Sequence, residues 1–237
     1  TAFLAAPGRT LVDAVFSAIE ARVVAWLAGE EWVLEVFRTH GKIYEATASQ
    51  LYGVPMERIK KGNPEYSLRQ YGKAATLALG YAGGAPALIT AGHLPKDTPE
   101  DELIDIRDRW RNANPAIVQF WYTVGAAARE AVEHGRRVEL NGGRLVFAYE
   151  MDTNNDFLTI QLPNGRKLYY AHPHMGVNRF GRAAVCYWGV TQKSHEWEVI
   201  ETYGGRLTEN ITQAAARDCL AEAVERLEAA GYPVAHP

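Results

Sequence analysis

The stretch RQYGKAATLALGYAGG, residues 69–84, decides the reading of this chain. Arg69, Lys73, Leu77 and Tyr81 recur in it at every fourth position. That step predicts a helix over residues 64–81 with the four side chains in one slowly drifting stripe, about 6 Å apart along the axis. Two cations at that separation match neighbouring phosphates of a triphosphate, and an aromatic ring two turns beyond Lys73 comes within reach of a base. On spacing alone, the plainer account is an ordinary basic helix face. Gly83 and Gly84 close the helix.

Working outward, residues 10–17 are apolar-rich and short, which predicts a buried strand. It runs directly into a helix over residues 18–27, with Ser17 as N-cap and Glu20 at the third helical position. Helices over residues 31–40 and 43–51 follow. Downstream come a short helix over residues 86–92, a helix with an acidic first turn from Pro99 to Asn112, and another over residues 115–133. After Gly135 the period changes from about 3.6 to about 2. Strands are predicted over residues 137–140, 144–150, 158–161 and 167–170, with Asn141-Gly142 and Asn164-Gly165 as turns. A long helix returns over residues 209–230, and residues 231–237 read as the start of a further strand. A strand, a helical block, a β-meander and a helix together give an α+β fold with an inserted helical subdomain.

With 47% hydrophobic and 22% charged residues in 237, the chain has the makeup of one large globular domain or two small ones. No apolar run approaches the ~18–20 residues of a membrane span and no signal peptide is visible, so no membrane partner and a cytoplasmic location are expected. Cys186 and Cys219 belong to no CxxC pair and read as reduced thiols. The net charge of −3 gives no global support for nucleic-acid binding, but local clusters such as Lys60-Lys61, Arg69 with Lys73, and Arg107, Arg109 and Arg111 can hold phosphates. His172 and His174 lack a third ligand at zinc spacing and read as surface-loop histidines. Residues 80–84 lack the Walker spacing of a phosphate loop, and no serine or cysteine nucleophile pattern stands out. The chain's two ends read as those of a fragment.

Residues 69–84 resemble motif B of family A DNA polymerases, the nucleotide-binding helix of the fingers. The segment FSAIEARVVAWL, residues 16–27, resembles motif A, usually written D-[FY]-S-x-I-E-x-R. Residues 41–55, GKIYEATASQLYGVP, resemble the helices linking the two, and Tyr203-Gly204-Gly205 with ENITQAAARD, residues 209–218, resemble the palm helix of phage-type members. The resemblance covers the whole chain and implies a right-hand polymerase palm fragment, an antiparallel sheet with a helical fingers subdomain inserted. Residues 1–25 would be the first palm strand and motif A, 26–135 the fingers, and 136–237 the palm continuation.

The resemblance also implies roles. Arg69 and Lys73 would hold the incoming triphosphate, Lys73 near the reacting phosphate. Leu77 would line the substrate site, Tyr81 would lie near the nascent base pair, and Glu20 would crowd the sugar 2′ position. Arg22 would brace this region beside the DNA. Gln213, with Asn210 or Glu209, would contact the primer–template minor groove, although Asn210 stands three residues before Gln213 where many relatives place it four before. A monomer is expected, with primer–template DNA and dNTP as partners and Mg²⁺ as cofactor.

Two departures bear on activity. Where the family carries the metal-binding Asp of motif A this chain has Val15, and Asp13, two residues earlier, is the one nearby carboxylate. On a strand Asp13 would share the face of Val15, displaced by about 6–7 Å. The His-Asp-Glu turn of motif C is expected after the palm helix, about where the chain stops at Pro237. Three readings follow: a template-directed DNA polymerase lineage inactive as written, a remnant that binds nucleotide or DNA without catalysis, and a degenerate chain that only folds.

Overall fold

A computed structural model describes residues 4–5, 7–178, 180–191 and 194–234. Seven helices come first: α1 (Ile19–Ala28), α2 (Glu31–Thr39), α3 (Ile43–Tyr52), α4 (Leu68–Leu79), α5 (Ala85–Thr90), α6 (Glu100–Ala113) and α7 (Pro115–His134). An antiparallel sheet follows, with β1 (Val138–Leu140), β2 (Leu145–Asp152), β3 (Asn155–Gln161), β4 (Lys167–Val177), β5 (Ala183–Val190) and β6 (Trp197–Thr202) in sequential order. The helix α8 (Gly204–Ala229) closes the fold. The class is α+β, a helical half joined to a six-stranded meander.

The long helix α7 ties the halves together because it is apolar on two sides. Phe120, Val124 and Ala128 face a core shared with Val23 and Leu27 of α1, Phe147, Leu158 and Ile160 of the sheet, and Leu207 and Ile211 of α8. Ile117 and Trp121 face a second core with Leu51, Leu79, Leu88, Ile106 and Trp110, where the indoles of Trp110 and Trp121 stack at 6.1 Å. Each fully buried Leu or Phe in these clusters stabilises the fold by about 1.5–3 kcal/mol of transfer free energy. The first turn of α7 is capped from a distance: the buried Glu30 carboxylate accepts from the backbone N–H groups of Ala116 at 2.9 Å and Ile117 at 3.3 Å. Gly135, with φ 63, ends the helix in the left-handed region that favours glycine.

Several expectations need correction. Residues 10–17 form no strand; Val12 is 86% and Val15 83% exposed, because β-propensity without a ladder partner and a covered face does not hold a strand. Asp13 therefore shares no sheet face with Val15. Ser17 does not cap α1, whose N-cap is Ala18 in a left-handed conformation with no side-chain cap. The single helix over residues 64–81 is a 3₁₀ turn, Pro64–Ser67, followed by α4, which stops at Leu79. Tyr81 thus lies past the helix, in a turn where Ala82 has φ 62.

The sheet is larger than the sequence indicated. The run Ala171-His172-Pro173-His174 breaks the alternation, yet β4 continues to Val177 across an irregularity between Ala171 and His174, where His172 takes φ 48. β5 and β6 were not anticipated. The turns at Asn141-Gly142 and Asn164-Gly165 are where they were expected. Residues 231–234 carry no strand, and 235–237 lie outside the described residues.

Candidate functional site

α4 approaches α3 closely because Gly72 has no side chain: a Cβ there would overlap the Tyr44 carbonyl oxygen and crowd Ala48. This contact sets Tyr44 and Glu45 beside Arg69. The Arg69 Nε donates to Glu45 Oε1 at 2.8 Å, and its guanidinium lies 5.2 Å from the centre of the Tyr44 ring. One turn on, the Thr76 hydroxyl donates to the Gly72 carbonyl at 2.7 Å and meets the Thr47 hydroxyl at 3.1 Å, joining the helices again. Lys73 is half-buried and has no ion-pair partner among the described residues. Leu77 is 41% exposed on the same face.

The turn after α4 is fixed from two helices. Trp121 Nε1 of α7 donates to the Gly80 carbonyl at 2.7 Å, and an Arg111 nitrogen of α6 donates to the Gly83 carbonyl at 3.1 Å. From the other side, a Cβ on Gly205 would overlap the Tyr81 carbonyl oxygen and Ala82, so the first turn of α8 is pressed against this segment. Tyr81 is directed inward as a result. Burial first, then the Glu20 and Glu209 carboxylates, push its phenol well above the usual tyrosine range. Among the described residues its hydroxyl and those of Thr208 and Thr212 are buried without a hydrogen-bond partner, and Thr212 is near enough to act on the phenol. Burial also raises the Tyr44 phenol, with Arg69 opposing and Glu20 adding. Glu20 of α1 thus lies within electrostatic reach of both Tyr44, beside Arg69, and Tyr81.

α8 carries the remaining expected residues. Gln213 is exposed, whereas Asn210 Nδ2 donates to the Tyr170 hydroxyl at 3.0 Å and so ties α8 to β4. Burial pushes the Tyr170 phenol up to about 12, with the Asn210 hydrogen bond opposing. Arg22 is braced internally: its Nε donates to the Ser17 carbonyl at 2.9 Å and its guanidinium lies 4.0 Å over the Phe37 ring. Tyr44 and Glu45 were missed by sequence reasoning. Tyr44 and Glu45 lie within the linking-helix resemblance, but nothing in their spacing marks them, because the contact that matters is made by Gly72 on another helix.

The residues described do not fit the expected two-ion Mg²⁺ site. Val15 offers no donor atom, Asp13 lies exposed on an irregular segment, and among the described residues no three His, Cys, Asp or Glu side chains gather as a metal set.

The family model for DNA polymerase family A matches residues 1–156. A DNA polymerase of Bacillus phage SP02 is 53% identical over 233 residues, 98% of this chain and 35% of that protein. DNA polymerase I of Pseudomonas aeruginosa is 29% identical over 154 residues, 65% of this chain and 15% of that one. The thermostable DNA polymerase I of Thermus aquaticus is 43% identical over 58 residues, 24% of this chain and 7% of that enzyme. The chain thus spans about a third of the phage relative's length. With the family's match reaching across α1, α4, their surroundings and the first strands of the sheet, the chain belongs to DNA polymerase family A.

Proposed function

We propose that the chain contributes the nucleotide-gripping helix and part of the primer–template surface of a template-directed DNA polymerase. In that reading residues 26–135 are the fingers, and residues 1–25 and 136–237 belong to the palm. The reaction is attack of a primer 3′ hydroxyl on the α-phosphate of a dNTP, with pyrophosphate leaving. Lys73 neutralises charge that develops on the phosphates, Arg69 holds the triphosphate, and Leu77, Tyr81 and Glu20 shape the space around sugar and base. Gln213 and Asn210 face the minor groove of the primer–template duplex, and Arg22 stiffens the segment carrying Glu20. The protein acts as a monomer in the cytoplasm. Among the described residues no helix is long and apolar enough to cross a membrane.

One observation carries this reading: α4 presents Arg69, paired with Glu45 at 2.8 Å and lying against the Tyr44 ring, and one turn on a half-buried Lys73 with no ion-pair partner among the described residues. The test is binding of a dNTP to the full chain by titration calorimetry. Lys73→Ala is expected to weaken binding about tenfold or more while leaving the melting temperature unchanged, since a charge-assisted phosphate contact contributes about 1.5–3 kcal/mol. Equal affinities would remove the basis of the proposal.

Val15 favours a second reading, a remnant that binds nucleotide and DNA without catalysis. Mg²⁺ is the ion the family's chemistry takes, and Asp13 is the one carboxylate near Val15 in sequence. Expected for the remnant is salt-dependent binding of primer–template duplex with no primer extension.

A further inference from the structure

The sheet is covered by helices on one side. Leu158, Tyr170 and Tyr187 turn to the core shared with α7 and α8. On the opposite side the strand pairings set Phe157, Ala171, Trp188 and Val199 in one row across β3 to β6, and Val190 stands opposite Trp197 two residues further along. Trp188, Val190, Trp197 and Val199 are all exposed, Trp197 at 57%. The solvent side of an antiparallel sheet is ordinarily polar, so an apolar patch there marks a surface built for contact.

The patch runs to an open edge. β6 ends the sheet with β5 as its one paired neighbour among the described residues, so alternate N–H and C=O groups along Trp197–Thr202 point away from the sheet. The other edge strand, β1, is only three residues long, and its Val138 and Leu140 pack into the core. The charge along β6 has one sign. Glu196 and Glu198 flank Trp197, Glu201 follows Val199 by two residues and so shares its face, and neither β5 nor β6 contains a Lys or Arg. The Glu198 carboxylate accepts from the hydroxyls of Thr191 and Ser194, each at 2.8 Å, and pairs with no cation among the described residues.

These charges discriminate between occupants. Single-stranded DNA stacks on exposed aromatics where cations accompany its phosphates, and here the phosphates would meet carboxylates. A second copy paired along β6 would set glutamate against glutamate. A strand that carries Lys or Arg beside apolar side chains satisfies the open backbone, the patch and the charge together. We propose that β6 is a docking edge for an extended basic and apolar segment of a partner protein, which adds one further strand to the sheet and lays its apolar side chains against Trp197 and Val199. This inference is independent of the role given to α4.

The probe is a short peptide alternating lysine and valine, titrated into the full chain beside two controls, one with proline at its central valine and one with glutamate for every lysine. Proline removes a ladder donor and disturbs the pairing around it; glutamate reverses the charge. Expected is binding of the first peptide about tenfold or more tighter than either control, together with slower amide exchange along residues 197–202 in its presence. Val199→Lys and Trp197→Ser, at exposed positions, are each expected to weaken it about tenfold with the melting temperature unchanged. Equal affinities for the three peptides, no binding of any, unchanged exchange along β6, or indifference to both substitutions overturns the proposal. A dimer in sedimentation that Val199→Lys dissociates overturns it in favour of a second copy, and slower exchange along β6 with oligo-deoxythymidylate overturns it in favour of single-stranded DNA.

Discussion

Arg69 holds its charge against Glu45 at 2.8 Å, with 27% and 16% of the two side chains exposed. A phosphate arriving at Arg69 must compete with that carboxylate or share the guanidinium with it. An ion pair this accessible to solvent is worth about 1 kcal/mol or less. Glu45→Gln, which keeps the shape and removes the charge, is expected to tighten tripolyphosphate binding by about threefold to fivefold, by titration calorimetry. Weaker binding would show instead that Glu45 holds Arg69 in its useful pose. Glu30 offers a separate test at the residue scale. Burial raises its pKa, against the lowering effect of the Ile117 and Ala116 N–H groups. A carboxyl with a raised folded-state value binds more protons folded than unfolded, so stability falls as pH rises from the ordinary glutamate value through the raised one, then levels off. Thermal melts from about pH 4 to about pH 8 are expected to show that fall in the wild type and not in Glu30→Gln. Glu30→Ala, which leaves two backbone donors of α7 without their acceptor, is expected to cost about 1–2 kcal/mol.

At the scale of elements, α8 shows what local rules miss. A Gly-Gly pair reads as a break, yet Gly204 and Gly205 form the first turn of a 26-residue helix. They do so because Cβ atoms there would overlap backbone oxygens of Trp121 and Tyr81. Gly204→Ala is therefore expected to lower the unfolding free energy by about 1–3 kcal/mol in chemical denaturation, although alanine is the better helix former. Gln213→Ala, on the exposed side of the same helix, is expected to leave stability within about 0.5 kcal/mol and to weaken duplex binding. The same logic sorts the rest of the fold. α1 to α7 were legible because their apolar residues recur at helical spacing and prolines and glycines mark their ends. The far half of β4 was not, because the bulge after Ala171 and the left-handed His172 shift the alternation there, and β5 hides three successive residues, Ala184 to Cys186, where alternation is the sign of a strand. The apparent strand over residues 10–17 had composition on its side but no partner in the sheet. Of the candidate residues, Arg69, Lys73 and Leu77 share α4 at the spacing expected, whereas Tyr81 lies past the helix, in the turn fixed by Gly205 and Trp121. Glu45 was illegible, since it meets Arg69 through the close packing of α3 on α4, which leaves no mark in the local sequence.

For the whole molecule, the question is whether binding and chemistry part company. Phosphoryl transfer asks a protein mainly for positioning and charge neutralisation. On the proposed function Arg69 and Lys73 supply the neutralising cations, but where motif A should bring a metal carboxylate there is an exposed Val15. On the proposed function duplex affinity rests on cations and on α8, so it is expected to survive this departure and to fall linearly with the logarithm of salt concentration. Extension with Mg²⁺ depends on the carboxylate and is expected to be undetectable in a gel assay with the purified chain. Lys73→Ala would then change dNTP affinity without changing the salt slope for duplex, because α4 and α8 present different surfaces. Val15→Asp probes the same point from the other side. At 83% exposure an aspartate there has little desolvation cost, so stability should stay within about 0.5 kcal/mol, but a lone exposed carboxylate is no Mg²⁺ site and extension should stay undetectable. Efficient extension by the unaltered chain is the outcome that would sink this division of labour, since it would mean that catalytic carboxylates reach the phosphates by a route that does not pass through position 15.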